Sequence, residues 1–207
     1  HLKTLGASVF AFSGLTSILI PPSVNPLGAN AFEQCAQLTT VTFPGITSLT
    51  TFSDYLFYNS GITSIQVPAS ITSIGKYCFQ NVLITPGPLA SVTFESNSQL
   101  SIIDTYAFHG TSLVSVDFPE VLTSVLSYSF AASPYLTTIT WPSATNFGTI
   151  ANNAFSNCPK LNNIILPPNI NSVGSGAFQN CDLLDTVGFA DCSGNPTLGP
   201  SSFSQLG

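Results

Sequence analysis

Nucleophilic catalysis requires a general base and an orienting group that converge on one pocket, and histidine most often serves as that base. The chain has two histidines, and only His109 lies inside the sequence, since the other is His1. His109 directly follows Phe108 in a predicted turn, where we expect a solvent-exposed loop residue. Glycine-rich phosphate loops are absent. The sequence therefore predicts a protein that is not an enzyme and that uses no cofactor.

Five cysteines could form disulfides or bind a metal. Cys35, Cys158 and Cys181 each stand three residues after a phenylalanine, and we predict that they fill this position as small buried side chains. A bridge between Cys158 and Cys181, or between Cys181 and Cys192, stays open as an alternative, because stacked repeats would bring such pairs within disulfide reach. No cysteine is grouped with histidine at the spacing of a zinc site, so we expect no metal.

The carboxylates Asp182, Asp185 and Asp191 fall close together in one late segment. Repeats that bind calcium carry glycine and aspartate at a fixed, recurring spacing, and this segment lacks that spacing. We therefore predict that these carboxylates form a solvated loop edge.

Charged residues are scarce, at 6% of the chain, with three Lys or Arg in total and a formal net charge of −6. An ordinary soluble domain has roughly 25% charged residues. Binding to nucleic acid or to anionic lipid requires several cations on one face, so the composition predicts neither partner. Apolar residues occur in short groups broken by Ser, Thr, Pro or Gly, so insertion of this segment into a membrane is not predicted.

An internal repeat defines the elements that would position any site. A phenylalanine recurs every 22 to 29 residues, at Phe10, Phe32, Phe57, Phe79, Phe108, Phe130, Phe155, Phe178 and Phe203. Each interval between these phenylalanines contains three apolar residues at fixed spacing. The second lies three residues after the first, the third lies two residues after the second, and proline usually follows. The copies begin at Leu15, Leu38, Ile62, Leu89, Leu113, Leu136, Leu161 and Leu184. The last two apolar residues of each copy predict a short strand with one buried face, and proline ends it because proline lacks an N–H.

Each copy has a second half, in which an apolar pair such as Ile71 and Ile74 precedes the next phenylalanine. That phenylalanine often follows alanine, and we predict a helical or 3₁₀ turn that places the ring in the core. One unit cannot bury its own apolar face, but stacked units can. Residues 1–207 thus predict a single repeat solenoid of about eight repeats, with short parallel strands on one face and turns on the other. A β-sandwich is the alternative, but its strands would not repeat Pro, Ala-Phe and Cys at the same offsets.

The copies Ile71–Phe79 and Ile170–Cys181 read ITSIGKYCF and INSVGSGAFQNC, and they resemble the BspA-type leucine-rich repeat. The resemblance covers essentially the whole chain and implies a curved solenoid of the leucine-rich-repeat type. Members of that family are usually surface or secreted proteins of bacteria and protists, associated with adhesion to host proteins and with cell–cell attachment, and the family has no catalytic motif. The scarcity of charge and the loop insertions after Phe79 and after Pro44 depart from the pattern.

If the apolar strand residues point inward, the residues between them point outward in two columns. The polar members of these columns define a candidate binding face, namely Ser17, Thr40, Thr42, Ser64, Gln66, Ser91, Thr93, Ser115, Asp117, Thr138, Thr140, Asn163 and Thr186. The face is rich in hydroxyl groups, and we expect it to lack a deep pocket. A protein or glycan on another cell or in the matrix is therefore the predicted partner.

The combined prediction is a non-enzymatic adhesion or protein–protein interaction module, located outside the cell or at its surface. The alternative is a structural subunit of a self-assembling extracellular filament, in which copies stack end to end. Low charge favours that alternative because it weakens mutual repulsion. The chain also starts and stops within a repeat and shows no polar capping unit, so we expect it to be part of a longer chain or of an assembly.

Overall fold

The computed structural model describes residues 2–83, 87–143, 147–168, 170–190 and 197–203. These residues form a parallel β-solenoid, which confirms the predicted fold class. In chain order the strands are β1 (Ser17–Leu19), β2 (Thr40–Thr42), β3 (Thr51–Phe52), β4 (Ser64–Val67), β5 (Ser73–Ile74), β6 (Ser91–Phe94), β7 (Ile102–Ile103), β8 (Ser115–Asp117), β9 (Ser124–Val125), β10 (Thr138–Thr140), β11 (Thr149–Ile150), β12 (Asn163–Leu166), β13 (Ser172–Val173), β14 (Thr186–Phe189) and β15 (Thr197–Leu198).

The strands that the Leu-x-x-Ile-x-Ile pattern predicts form one wall of the solenoid, here called the first sheet. Its hydrogen-bonded pairs are β1–β2, β4–β6, β8–β10 and β12–β14, all parallel, and successive pairs lie beside one another. The register places equivalent residues of neighbouring repeats side by side, as in Ile65 opposite Val92. Inward side chains such as Ile65 and Val67 are buried, whereas Ser64 and Gln66 between them are exposed.

A second wall, here called the second sheet, is a finding that the sequence reasoning did not anticipate. Strands β3, β5, β7, β9, β11, β13 and β15 form one continuous parallel sheet of seven two-residue strands. Each strand contains the second residue of the apolar pair, so that Ile74 is buried and pairs with Phe52 and Ile103. These strands were missed because two residues are too few for a visible alternation of buried and exposed positions.

The segment around each phenylalanine consists of tight turns, and no helix of either kind occurs among the described residues. The predicted helical or 3₁₀ turns are therefore wrong. The residues two before and two after the phenylalanine have positive φ in nearly every repeat, for example +60° at Tyr106 and +73° at Gly110 around Phe108. A residue in the left-handed region every fourth position stops a right-handed helix from propagating.

The nine repeated phenylalanines form one stack that runs through the core. Successive rings lie 5.0 to 5.5 Å apart between centroids, with interplanar angles of 5 to 17°. Backbone hydrogen bonds hold the register, since the amide of Phe108 donates to the Ser129 carbonyl at 2.7 Å and that of Phe130 to the Ala154 carbonyl at 2.8 Å. The prediction that these side chains fill one shared interior in register is confirmed.

Ser129 and Ser133 provide a matched pair for measuring the cost of a buried hydroxyl. Both side chains are fully buried, but Ser129 Oγ has no hydrogen-bond partner, whereas Ser133 Oγ lies 3.3 Å from Thr111 Oγ1. Four other repeats have alanine at the position of Ser129, at Ala31, Ala107, Ala154 and Ala177.

We expect S129A to raise the free energy of unfolding by about 1 kcal/mol, because it removes a desolvated group that makes no hydrogen bond. S133A should lower it by about 1 kcal/mol, because it leaves the Thr111 hydroxyl buried without its partner. Urea denaturation followed by circular dichroism measures both changes. Shifts of the same sign in the two variants would contradict this account.

Candidate functional site

All thirteen residues of the candidate binding face lie on first-sheet strands, and all are exposed. Strand pairing aligns them into two columns, with Ser115 opposite Thr138 and Asp117 opposite Thr140. Inward residues of the same strands, such as Val116, anchor the columns to the core. The face is therefore a periodic polar surface in which Asp117 is the one charged member. That it binds a partner stays a prediction.

The hydroxyl groups of this face are largely unengaged. In the ranges that the structure describes, Thr186 is the one face residue whose hydroxyl bonds to another side chain, since its Oγ1 donates to Asp185 Oδ1 at 3.0 Å. On the second-sheet strands, Ser73 Oγ donates to Thr51 Oγ1 at 3.3 Å and Ser172 Oγ donates to Thr149 Oγ1 at 3.5 Å. The residue just before a strand bonds to a carbonyl of the preceding repeat at both sheets, since Thr72 donates to the Thr50 carbonyl and Thr137 to the Val114 carbonyl, each at 3.0 Å. The two surfaces thus differ in the hydroxyls of the strands themselves.

Two hollows, both open to solvent, interrupt the rim of the face. The first has a volume of about 620 Å³ and lies between face residues Thr93 and Asp117 and the loop residues Asn97 and Glu120. The second, of about 490 Å³, is lined in part by Thr138, Thr140 and Asn163, and otherwise mostly by apolar side chains. Both arise where strands end and the chain turns toward the second half of the repeat, and strand periodicity alone does not reveal such corners.

Trp141 marks the corner beside the second hollow. Its side chain is partly buried and packs against the rings of Phe118, Phe147 and Phe155 at 5.2 to 5.7 Å between centroids. The indole Nε1 is buried and has no hydrogen-bond partner. Trp141 therefore acts mainly as a core residue beneath the second hollow.

A column of stacked tyrosines in the turns beside the phenylalanines was also not predicted from the sequence. Tyr55, Tyr77, Tyr106 and Tyr128 stack in consecutive repeats, with ring centroids 4.7 to 5.0 Å apart. Partial burial is the main cause that raises the pKa of Tyr55 and of Tyr106, followed by the neighbouring phenols. The signal was present in the sequence, because tyrosine stands two residues before the phenylalanine in each of these four repeats.

The cysteines at the repeated position are buried thiols, as predicted. The Sγ of Cys35 lies 3.0 Å from the Phe10 carbonyl oxygen, and the sulfurs of Cys158 and Cys181 lie 3.4 and 3.3 Å from the carbonyls of Phe130 and Phe155. Cys78 is buried immediately before Phe79. Cys192 lies outside the described residues, and with it the alternative bridge to Cys181.

The carboxylates Asp182 and Asp185 are exposed, as the prediction of a solvated edge requires, and Asp191 lies outside the described residues. In the same ranges no group of histidine, cysteine, aspartate or glutamate side chains is arranged to hold a metal ion. A helix with the length and apolarity to cross a bilayer is likewise not found there.

His109 is only half-exposed, so the prediction of a freely exposed loop residue is wrong. Its Nδ1 lies 3.2 Å from Gln80 Nε2, and its ring packs against Tyr106 at 5.3 Å between centroids. Gln80 Nε2 is a donor, so Nδ1 accepts and the imidazole is neutral in this arrangement. Burial lowers the pKa of His109.

This lowered pKa predicts a loss of stability in mild acid. The unfolded chain binds a proton at His109 more readily than the folded chain does, so the contribution is present above the ordinary histidine pKa of about 6.5 and is lost as the pH falls through the folded value. Denaturation midpoints of the wild type and of H109Q, measured from about pH 7.5 to about pH 5, check this prediction around that pKa. A difference between the two proteins that does not change with pH would contradict it.

Comparison with known proteins gives the family. The model of a BspA-type leucine-rich repeat region, in six copies, matches residues 1–85 and 87–206. A leucine-rich repeat protein from Bacteroides ovatus is 25% identical with a TM-score of 0.82, covering 99% of this chain and 50% of its own. The leucine-rich repeat protein of T. pallidum is 18% identical with a TM-score of 0.69, covering 99% of this chain and 82% of its own.

A third similar structure is the pneumococcal vaccine antigen PcpA, which is 19% identical with a TM-score of 0.57 and covers 99% of this chain and 58% of its own. No curated protein sequence matches the chain. The chain spans about half the length of the Bacteroides ovatus protein. The family match extends over nearly every residue, and the structure repeats the same unit throughout. This chain belongs to the BspA-type leucine-rich repeat family.

Proposed function

We propose that this chain is a non-enzymatic adhesion or protein–protein interaction module that acts outside the cell or at its surface. Its binding surface is the exposed face of the first sheet, and its partner is a protein or glycan on another cell or in the matrix. Family membership supports the general role, since leucine-rich repeat proteins generally serve in protein–protein interaction and are associated with the cell surface. The finer assignment to adhesion rests on the surface itself.

The observation that carries the proposal is the difference between the two sheets. Both display rows of serine and threonine, but on the second-sheet strands Ser73 Oγ donates to Thr51 Oγ1 and Ser172 Oγ donates to Thr149 Oγ1. First-sheet strand hydroxyls, such as those of Thr93 and Thr140, make no hydroxyl–hydroxyl bond of this kind in the described part of the chain. A hydroxyl is both donor and acceptor, so an untied row suits the amides of a protein or the hydroxyls of a glycan.

The shape of the face supports a broad contact with two points of closer fit. The hollows beside Thr93 and beside Thr140 lie at the rim, where side chains or sugar rings of a partner would enter. Arginine is absent from the chain, and the one tryptophan packs mainly inward, so two residue types that usually dominate interface energy are missing from the face. We therefore propose weak individual contacts that gain strength by multivalency.

A pull-down with matched variants tests the proposal. The isolated chain is immobilised and exposed to solubilised cell-surface and matrix proteins and to a glycan array. One variant carries T42K, T93K and T140K on the first sheet, and the control carries T51K, T149K and T197K on the second sheet. We expect the wild type and the control to retain the same ligands, and the first-sheet variant to retain at least tenfold less.

Equal losses in the two variants would show that added charge alone abolishes binding, and unchanged retention in both would place the site elsewhere. Either result contradicts the proposed face. Electron microscopy of the same preparation tests the filament alternative, because an adhesion module gives discrete arcs and a self-assembling subunit gives long rods.

A further inference from the structure

We infer that Cys158 and Cys181 form a disulfide between two adjacent turns of the solenoid when the chain folds in oxidising surroundings. The inference rests on the extracellular or surface location in the proposed function, since disulfides persist in that setting. It goes beyond that function because it assigns a covalent modification to two residues of the core. The structure shows the reduced form, with both side chains as free thiols.

The two cysteines occupy the same position in consecutive turns. Backbone hydrogen bonds fix these turns side by side, from the Phe155 amide to the Ala177 carbonyl at 2.8 Å and from the Asn157 amide to the Gln179 carbonyl at 2.7 Å. Parallel neighbours in such a stack lie about 4.8 Å apart. That separation falls inside the range of about 4.4–6.8 Å between the Cα atoms of disulfide-bonded cysteines. The backbone therefore needs no large movement to admit the bond.

The side chains lie on the facing sides of the two turns. The Sγ of Cys181 lies 3.3 Å from the carbonyl oxygen of Phe155, in the turn that carries Cys158, and both side chains are fully buried. Because both sulfurs are buried, neither can contact a thiol of another molecule. Oxidation by a large enzyme after folding is excluded by that burial, so the bond must form while the last turns are still assembling.

Cys35 provides an internal comparison because it occupies the same position in an earlier turn. Its thiol lies 3.3 Å from Ser13 Oγ, and the equivalent residue of the following turn is Ser60. A cysteine flanked by serines in this column has no thiol to pair with. Cys78 occupies a different position, directly before its phenylalanine. Among the described residues the column therefore offers one pair of adjacent cysteines.

The chemistry is thiol–disulfide exchange with a small disulfide such as oxidised glutathione. Both thiols are accessible before the last turns close, so either can be the first nucleophile. When Cys181 reacts first, its thiolate attacks one glutathione sulfur and releases a glutathione thiolate. The Cys158 thiolate then attacks Cys181 Sγ and releases the second. The two cysteine protons end on two glutathione molecules, and two electrons pass from the protein to the oxidant.

Refolding the full chain in a glutathione redox buffer tests the inference. The denatured product is alkylated at free thiols and its mass is measured, followed by peptide mapping without reduction. We expect the wild type to show three alkylated cysteines of the five present, with Cys158 linked to Cys181. C35S and C192S should keep the link. C158S should lose it and carry a glutathione adduct at Cys181.

Full alkylation of all five cysteines in the oxidising buffer, or a link from Cys181 to Cys192, would overturn the inference. The bridged form should also show a thermal midpoint several degrees above that of the reduced form, because the bond restricts the unfolded chain. Failure of the disulfide leaves the pull-down unaffected. Failure of the pull-down on a chain that forms the link removes the proposed function but not the disulfide.

Discussion

Replacing Phe108 by alanine is expected to lower the free energy of unfolding by about 3–5 kcal/mol. The Phe108 ring is fully buried and stacks on Phe79 at 5.1 Å and on Phe130 at 5.0 Å. Removing it leaves a cavity between two rings that the backbone ladder holds in place, so the neighbours cannot close the gap. In a solenoid each turn contacts only the adjacent turns, and a central cavity therefore uncouples the two halves.

F10A is the matched control at the first turn. Phe10 is only partly buried and has a single stacking neighbour, Phe32, at 5.5 Å. We expect its loss to cost about 1–2 kcal/mol, in proportion to the smaller apolar area that it buries. Guanidinium denaturation followed by far-ultraviolet circular dichroism compares the two variants. If F108A were no more destabilising than F10A, the stack would not be a continuous source of stability.

The phenylalanine column could be predicted from sequence because one large ring per repeat gives an unmistakable period. The first-sheet strands could be predicted for the same reason, since three apolar residues at fixed offsets precede proline in most copies, as in Ile62, Ile65, Val67 and Pro68. Both signals come from side chains whose burial is obligatory. Burial is what composition and spacing report most directly.

The turns around the phenylalanines could not be predicted in the same way. Alanine before phenylalanine suggests a helix, but the residues two before and two after the ring adopt positive φ, as at Asn153 and Asn157 around Phe155. Asparagine tolerates that conformation, whereas Tyr106 and Tyr128 adopt it despite their bulk. Stacking between these tyrosines offsets part of the cost, and such an interaction between repeats is invisible when each repeat is considered alone.

The outward positions of the candidate face followed from strand alternation, but its hollows did not. A residue's direction depends on its own strand, whereas the hollow beside Thr140 depends on how the corner at Pro142 and the strand around Ile165 diverge. The contrast between tied and untied hydroxyls has the same origin. It depends on whether a strand hydroxyl of the preceding repeat lies within reach, as it does for Ser73 with Thr51.

Gly174→Ala is expected to destabilise the protein by about 2–3 kcal/mol, although it adds a single methyl group. Gly174 lies four residues before Phe178, where the chain passes directly over the preceding turn. A Cβ at this position would contact the Asn152 amide nitrogen and lie 2.6 Å from the carbonyl carbon of Ala151. Both are backbone atoms, so the turn itself must move, and the 2.8 Å bond from the Gly174 amide to the Ile150 carbonyl would lengthen.

Gly6 gives the control because it occupies the same repeat position, four residues before Phe10, with nothing within 4 Å of an added Cβ. Neither glycine has a positive φ, so alanine fits both backbones and the two substitutions differ only in the turn beneath. G6A should be neutral or stabilising by up to about 1 kcal/mol, because alanine restricts the unfolded chain. Urea denaturation of both variants measures the difference.

Equal effects of G174A and G6A on the free energy of unfolding would mean that contact between turns does not limit side-chain size at this position. A penalty confined to G174A would show that the spacing between turns, rather than backbone conformation, selects glycine there.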